Sequence, residues 1–142
     1  MVVTFFGHSD APSSVETKLT TILIDLIENK GATTFYVGNN GNFDRIVQNT
    51  LRTLKSQYSQ IDALVVLAYL PGKYTHAETP LDTIYPEGLE NVPKRFAICK
   101  RNEWMIKQCD LVITFVNRDF GGAAQYTKNA EKRGKTILNL AT

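Results

Sequence analysis

Residues 111–125, with the sequence LVITFVNRDFGGAAQ, constrain the fold of this chain more than any other stretch. The first six of these residues form an apolar and β-branched run, which predicts a buried strand. A polar turn leads to Gly121 and Gly122, and the small residues Ala123 and Ala124 then open a helical pattern. A helix N-terminus directly after a strand offers free backbone N–H groups and the positive end of its dipole. Glycine also lets an anion approach the backbone closely, so the stretch favours a phosphate site over a plain tight turn.

The same order of strand, glycine-bearing loop and helix occurs twice earlier in the chain. Residues 2–6 are almost wholly apolar and end at Gly7, and a clean amphipathic helix follows. Residues 33–37 predict a second strand, and the glycine- and asparagine-rich loop 38–42 leads into a second amphipathic helix. Asp44 falls in the first turn of that helix, where a carboxylate suits the helix dipole. It either caps the helix alone or also binds a sugar hydroxyl or acts as a base.

The remaining pattern continues the alternation of strands and helices. It predicts a third strand at 63–69, a third helix at 94–108, a fourth helix at 123–133 and a fifth strand at 136–140. Residues 70–92 predict a long loop at the position of a lid or a partner-binding segment. Such alternation predicts parallel pairing with right-handed crossovers. We therefore expect residues 1–142 to form one Rossmann-like, doubly wound α/β domain, with a mainly parallel five-stranded sheet and helices on both faces.

In a sheet of this kind, ligands bind beyond the carboxyl ends of the strands, where the strand order reverses. The glycine-bearing loops after the predicted strands all arrive at this edge. The predicted ligand-binding residues on these loops are Gly7, His8, Ser9, Asp10, Gly38, Asn39, Asn42, Asp44, Gly121, Gly122, Ala123 and Ala124.

The third predicted helix carries further candidates for anion contacts. Arg95 and Asn102 fall on one helix face, and Arg101 is adjacent to that face. The planar guanidinium group of arginine binds phosphate through two parallel hydrogen bonds. The spacing alone nevertheless favours a solvent-exposed basic face, which is the usual meaning of paired Lys and Arg residues.

Composition excludes several classes of protein. The net charge of +2 is too small to indicate a nucleic-acid partner. No apolar run approaches the length of a membrane span, and the N-terminus lacks the basic region of a signal peptide. Cys99 and Cys109 lie on or near one predicted helix, where their spacing corresponds to about 15 Å, so they cannot form a disulfide within it. We expect a cytoplasmic protein with reduced cysteines, no metal site and no required cofactor.

Several short motifs, taken together, resemble the SLOG superfamily, and the resemblance covers nearly the whole chain. They are Phe6-Gly7-His8, Gly38-Asn39, Asn42-Phe43-Asp44, Val92-Pro93-Lys94-Arg95, Arg101-Asn102 and Gly121-Gly122-Ala123-Ala124. The chain is most similar to the small stand-alone YpsA-like members found in bacteria and their phages. The resemblance implies a Rossmann-like fold that binds nucleotides or nucleotide-derived molecules, with Arg95, Arg101 and Asn102 among the ligand contacts.

The enzymatic LONELY GUY branch of that superfamily carries Pro-Gly-Gly-x-Gly-Thr and a following glutamate. This chain has Phe120 in place of the proline, Ala124-Gln125 in place of Gly-Thr, and Lys128 in place of the glutamate. The resemblance therefore implies ligand binding rather than phosphoribohydrolase activity.

Three functions compete at this stage. The first is a sensor or binding module for a nucleoside phosphate or an ADP-ribose-like ligand. The second is an N-glycosidic-bond hydrolase or transferase, with Asp10 and Asp44 as the better placed catalytic candidates beside Glu87 and Asp119. The third is a protein-interaction scaffold, which Tyr69, Tyr74 and Tyr85 around the long loop would serve. Pairing of the domain into a homo-oligomer is also expected from the resemblance.

Overall fold

A computed structural model describes residues 1–70 and 81–142 of the chain. Within them, a single parallel sheet of six strands is covered by helices on both faces. The strands are β1 (Val2–Gly7), β2 (Thr34–Val37), β3 (Asp62–Val66), β4 (Asp82–Ile84), β5 (Leu111–Phe115) and β6 (Thr136–Asn139). The α-helices are α1 (Val15–Asn29), α2 (Asn42–Gln57), α3 (Ala97–Gln108) and α4 (Gly122–Lys132), and short 3₁₀ turns occupy Leu89–Asn91 and Lys94–Phe96. The prediction of a Rossmann-like α/β fold is confirmed.

The strand order is β4-β3-β2-β1-β5-β6, so the order reverses between β1 and β5. Strands β1 to β4 lie on one side of the sheet, and the chain then returns through α3 to place β5 on the free side of β1. The loops that follow β1 and β5 therefore lead to helices on opposite faces, which opens a crevice at the carboxyl ends of these two strands.

The sheet has six strands where the sequence predicts five. The additional strand β4 lies inside the predicted long loop and pairs with β3 at the edge of the sheet. It has three residues, and Asp82 and Thr83 are exposed, so the strand offers no alternation of buried and exposed side chains that a sequence pattern could reveal. Residues 71–80 of the predicted loop lie outside the described part of the chain.

Two apolar layers hold the helices on the sheet. Helices α1 and α2 pack on one face through an extended cluster that includes Leu19, Phe43 and Phe35. Helices α3 and α4 cover the other face through a smaller cluster around Met105 and Ala130. Alternate residues of β1 point into the two layers, as the strand period of two requires.

Neither of the two cysteines forms a disulfide. Cys109 is buried in the smaller cluster, where burial raises the pKa of its thiol to about 11, and Cys99 is partly exposed. Among the helices in the described part of the chain, none has both the length and the apolar character that a membrane span requires.

Candidate functional site

A cleft of about 300 Å³ opens where the strand order reverses, between the carboxyl ends of β1 and β5. Its lining comes from five segments: the end of β1 with its loop, the start of α2 with the preceding loop, the inner face of α3, the loop after β5, and the first turns of α4. The lining residues are Phe5, Phe6, Gly7, His8, Ser9, Asn40, Asp44, Ile98, Arg101, Asn102, Met105, Arg118, Gly121, Gly122, Ala123 and Tyr126.

His8 joins the loop after β1 to the loop after β5. The imidazole is buried, and its Nε2 accepts a hydrogen bond from the backbone N–H of Asn117 at 3.2 Å. Burial lowers the pKa of His8, and the positive charge of Arg118 lowers it further, while Asp10 acts in the opposite direction. A neutral imidazole that accepts at Nε2 carries its proton on Nδ1. His8 therefore serves first to hold the two loops together at the back of the cleft.

Asp10 and Arg118 form a second link between the same loops. Two guanidinium nitrogens of Arg118 donate to the two carboxylate oxygens of Asp10, at 3.0 and 3.3 Å. This hydrogen bonding lowers the pKa of Asp10. The Nε of Arg118 is buried and has no hydrogen-bond partner among the described residues. The guanidinium also lies 5.5 Å from the ring centre of Phe120, so Arg118 stands at the mouth of the cleft with donor capacity to spare.

Arg101 supplies a buried positive charge at the other side of the cleft. Only 1% of the residue is exposed, although it lines the cleft. Its Nε donates to Asn102 Oδ1 at 2.7 Å, and one terminal nitrogen donates to Asn39 Oδ1 at 3.1 Å and to the Val66 carbonyl at 3.0 Å. The other terminal nitrogen donates to Asn40 Oδ1. All four acceptors are neutral, so the hydrogen bonds orient the guanidinium without cancelling its charge.

Asp44 lies close to this guanidinium in the first turn of α2. Its carboxylate accepts a hydrogen bond from the Asn40 backbone N–H at 2.9 Å. Burial raises the pKa of Asp44 to about 6, against the opposing effects of that hydrogen bond and of the Arg101 charge. A carboxyl group with a pKa near neutrality, at the wall of a cleft, is the kind of group that exchanges protons with a ligand.

The N-terminus of α4 opens into the cleft, and no side chain among residues 1–70 and 81–142 caps it. Gly121 has φ +93° and ψ 173°, and no side chain caps the helix at this position. The first hydrogen bond of the helix runs from Gln125 N–H to the Gly121 carbonyl at 3.1 Å. The N–H groups of residues 122–124 precede it and have no acceptor within the helix. No acidic residue occurs in this first turn, so its positive electrostatic potential is not offset locally.

The remaining wall of the cleft is apolar. The rings of Phe6 and Tyr126 stack with centres 5.5 Å apart, and Ile98 and Met105 from α3 lie beside them. Polar groups on one side and a flat apolar wall on the other are typical of sites for small organic ligands.

Most of the predicted ligand-binding residues come together in this cleft, and the others lie beside it or away from it. Those that line it are Gly7, His8, Ser9, Asp44, Arg101, Asn102, Gly121, Gly122 and Ala123. Asp10, Gly38, Asn39 and Asn42 are not lining residues: Asp10 is exposed and bonded to Arg118, Asn39 accepts a hydrogen bond from Arg101, and Asn42 Nδ2 donates to the Ala11 carbonyl. Ala124 belongs to α4 and its side chain is buried.

Arg95 lies outside the lining of the cleft. It precedes α3 in a 3₁₀ turn, is exposed, and its guanidinium stacks over the ring of Phe96 at 4.8 Å. The predicted helix began at 94, and the α-helix begins at Ala97, so the expected shared face of Arg95 and Asn102 does not continue through this turn.

Sequence reasoning missed Asn40, Arg118 and Tyr126 as lining residues. Asn40 adjoins the predicted Asn39, and Arg118 lies within the turn before Gly121, so both positions were near a recognised motif. Tyr126 carried no signal, because an aromatic residue in the second turn of a helix is equally typical of a packed core.

Two of the three tyrosines proposed for partner binding are described. The Tyr69 hydroxyl donates to the Lys94 carbonyl at 2.8 Å, and Tyr85 packs against the larger apolar cluster. Tyr74 lies outside the described residues.

Comparison with protein-family models finds no match for the chain, and no curated protein is significantly similar to it in sequence. Within residues 1–70 and 81–142, no three or more His, Cys, Asp or Glu side chains are grouped so that they could hold a metal ion.

Proposed function

We propose that the cleft binds a nucleotide or a nucleotide-derived small molecule, and that the protein acts as a sensor or binding module for it. The observation that carries the proposal is the uncapped N-terminus of α4 at the switch point of a Rossmann-like sheet. Backbone N–H groups and the helix dipole at such a position favour a phosphate group. The similarity to the SLOG superfamily supports the same class of ligand.

The charges of the two arginines support an anionic ligand. Arg101 and Arg118 both line the cleft, together with Gly121, Gly122 and Ala123 at the start of α4. The hydrogen-bond partners of Arg101 are neutral, and the raised pKa of the nearby Asp44 limits how far that carboxyl group offsets the positive charge, so the guanidinium still attracts an anion. Phosphate at residues 121–123 would lie within the field of both groups.

The other walls fit the sugar and the base. The Asp44 carboxylate and the amides of Asn40 and Asn102 are suited to sugar hydroxyls, because hydroxyls both donate and accept hydrogen bonds. The apolar wall at Tyr126 and Met105 offers a surface for a flat heterocycle.

A thermal-shift panel tests this proposal, with AMP, GMP, NAD, ADP-ribose, cyclic dinucleotides and deoxynucleosides as probes. A ligand at a hundred times its Kd adds about 2.7 kcal/mol to the free energy of unfolding, which raises Tm by several degrees. Gly122→Val should abolish the shift and keep the fold, because a Cβ at position 122 meets only Tyr126 Cε2, at 3.8 Å. Glu131→Val is the control on the same helix, at an exposed position away from the cleft. A flat response of the natural chain to every probe would contradict the proposal.

Asp44 favours a second candidate function, an N-glycosidic-bond hydrolase or transferase. Its pKa of about 6 would let the carboxyl group act as an acid or a base near neutral pH. Asp10 is less suited to this role, because its carboxylate is exposed and held ionised by Arg118.

Chromatography of nucleoside monophosphates incubated with the protein would separate the two functions. A hydrolase releases free base, and Asp44→Asn abolishes the release while the thermal shift remains. A natural chain that gives a clear thermal shift and releases no base over a long incubation is a binding module.

A further inference from the structure

A second concave surface adjoins the cleft on the outer side of α4. This outer groove encloses about 750 Å³ and is lined by Asp119, Phe120, Gly121, Gly122, Gln125, Lys128, Asn129, Lys132 and Arg133. Gly121 and Gly122 belong to both linings, so they form the ridge between the cleft and the groove. Neither glycine has a side chain, so no side chain of residues 121 and 122 separates the two spaces.

The outer groove carries an excess of positive charge. Its lining contains three cationic residues, Lys128, Lys132 and Arg133, and one acidic residue, Asp119. None of these three cations takes part in the ion pairs recorded among the described residues, which join Lys100 to Glu103 and Arg118 to Asp10. Positions 125, 128, 129 and 132 follow helical spacing, so their side chains share one face of α4. Side chains on a helix lean towards its N-terminus, which brings these cations towards the glycine ridge.

An exposed aromatic ring stands at the end of the same groove. Phe120 is 67% exposed, although it is a large apolar residue. The Arg118 guanidinium lies over its ring at 5.5 Å. An aromatic ring next to cations offers a stacking surface for a nucleobase that follows a phosphate group.

We propose that the ligand is a dinucleotide-type molecule, with one nucleotide half in the cleft, its phosphate at the glycine ridge, and the second half along the outer face of α4. This proposal rests on the nucleotide site proposed above and specifies the class of ligand. The cleft alone, at about 300 Å³, is at the lower end of the range for small-molecule sites. The second phosphate would lie within reach of Lys128, Lys132 would add positive potential further along the groove, and the second base would stack on Phe120.

Isothermal titration calorimetry tests the proposal with matched pairs of probes. The probes are AMP and GMP, and the corresponding diadenosine and diguanosine 5′,5′-diphosphates. The natural chain should bind a linked probe about tenfold or more tightly than the matching monophosphate, because charge-assisted hydrogen bonds to the second half add to the affinity.

Two variants test whether the higher affinity of the linked probe comes from the outer groove. Lys128→Gln combined with Lys132→Gln should remove the advantage of the linked probe and change the affinity for the monophosphate less than about threefold. Phe120→Ala should remove part of the same advantage. Lys30→Gln combined with Lys107→Gln is the control, because it removes the same charge from exposed positions at the opposite edge of the sheet.

The outcomes separate the two proposals. If a monophosphate binds and the linked probe binds no more tightly, or if the α4 double variant keeps the full advantage, the dinucleotide inference is overturned and the nucleotide site stands. If none of the four probes binds to the natural chain, the dinucleotide inference is overturned, and the thermal-shift panel decides separately whether the nucleotide site stands.

Discussion

Helices α2 and α4 begin with the same backbone geometry at the same edge of the sheet, yet the surroundings of their N-termini differ. The N-cap residues Gly41 and Gly121 have φ values of +92° and +93° and ψ values of 177° and 173°. No side chain caps either helix at this position. The two N-termini therefore start with equal capacity for an anion.

The N-terminus of α2 is occupied by the loop that follows β1. The Asn42 N–H donates to the Ser9 carbonyl at 3.0 Å, and a Cβ on Gly41 would come within 2.9 Å of Ser9 Cα. Phe43 follows and is fully buried, and Asp44 places a carboxylate in the first turn. The N-terminal capacity of α2 is used to hold the loop after β1 in place.

The α4 terminus is left open. Gly122, Ala123 and Ala124 occupy the positions that Asn42, Phe43 and Asp44 occupy in α2. A Cβ on Gly121 would meet no atom of the described part of the chain within 4 Å, and the first turn carries no acidic residue. One glycine-capped helix thus holds the loop after β1 in place, and the other leaves its first N–H groups without an acceptor within the helix.

Alanine at the two capping glycines should separate these roles most strongly. Both φ values lie in a region that is essentially restricted to glycine, so Gly121→Ala should lower the free energy of unfolding by about 2 kcal/mol. Gly41→Ala has the same backbone strain and also a clash of the new Cβ with Ser9, so it should lower the free energy of unfolding by about 4 kcal/mol. Urea denaturation of both variants measures the difference. Gly31→Ala, at φ +74° in open space, is the control for a positive φ alone. Equal losses at positions 41 and 121 would contradict the distinction.

The carboxylate of α2 should give the protein a pH dependence that α4 cannot supply. Asp44 has a pKa of about 6 in the folded chain, against an ordinary value of 3.8. Between these values the folded chain holds a proton that the unfolded chain has released, so stability falls as the pH rises through this window and stays lower above it. The shift corresponds to about 3 kcal/mol.

Denaturation midpoints of the natural chain and Asp44→Asn, measured from pH 3.5 to 7.5, test this expectation. The fall in stability that is due to Asp44 should be missing from the variant. Asp25→Asn, which removes an exposed carboxylate from α1, is the control for loss of a surface charge. If the stability of Asp44→Asn depends on pH in the same way as that of the natural chain, the pKa of Asp44 is not raised in the folded chain.

An acid introduced into the open terminus should make α4 resemble α2. Gly122→Asp places a carboxylate in the first turn, where it should stabilise the helix by about 0.5 kcal/mol. The same charge should weaken the binding of a nucleoside monophosphate by at least about tenfold. Gln125→Glu adds an equal charge on the outer groove and should have a much smaller effect on the monophosphate. Calorimetry and thermal denaturation of the two variants give both quantities, and undiminished binding by Gly122→Asp would place the phosphate elsewhere.

The contrast between the two helices also shows which structural features can be predicted from the sequence and which cannot. The alternation of apolar strands and amphipathic helices predicts the Rossmann-like fold, because these periods are local. The glycine-bearing loops identify the edge of the site for the same reason. The pattern at Gly41 and Gly121 is similar in sequence, however, and only the folded chain brings Ser9 against Gly41 and leaves Gly121 open.

Long-range contacts explain the remaining differences. The spacing of residues in α3 favoured a solvent-exposed basic face. Arg101 is nevertheless buried, and it donates hydrogen bonds to Asn39 and Asn40 in the loop after β2 and to Val66 at the end of β3. The strand β4 depends on pairing with β3 rather than on its own three residues.

Amide NMR during a titration with inorganic phosphate, and then with AMP, tests the central claim most directly. The account predicts that the largest chemical-shift changes occur at the backbone N–H groups of residues 122–124, because these donors face the cleft without partners from the helix. The N–H groups of residues 42–44 in α2 should change little, since that terminus is occupied by the loop after β1. Changes centred on α2, or none at either helix at millimolar concentrations of both probes, would contradict the assignment of α4 as the phosphate-binding end.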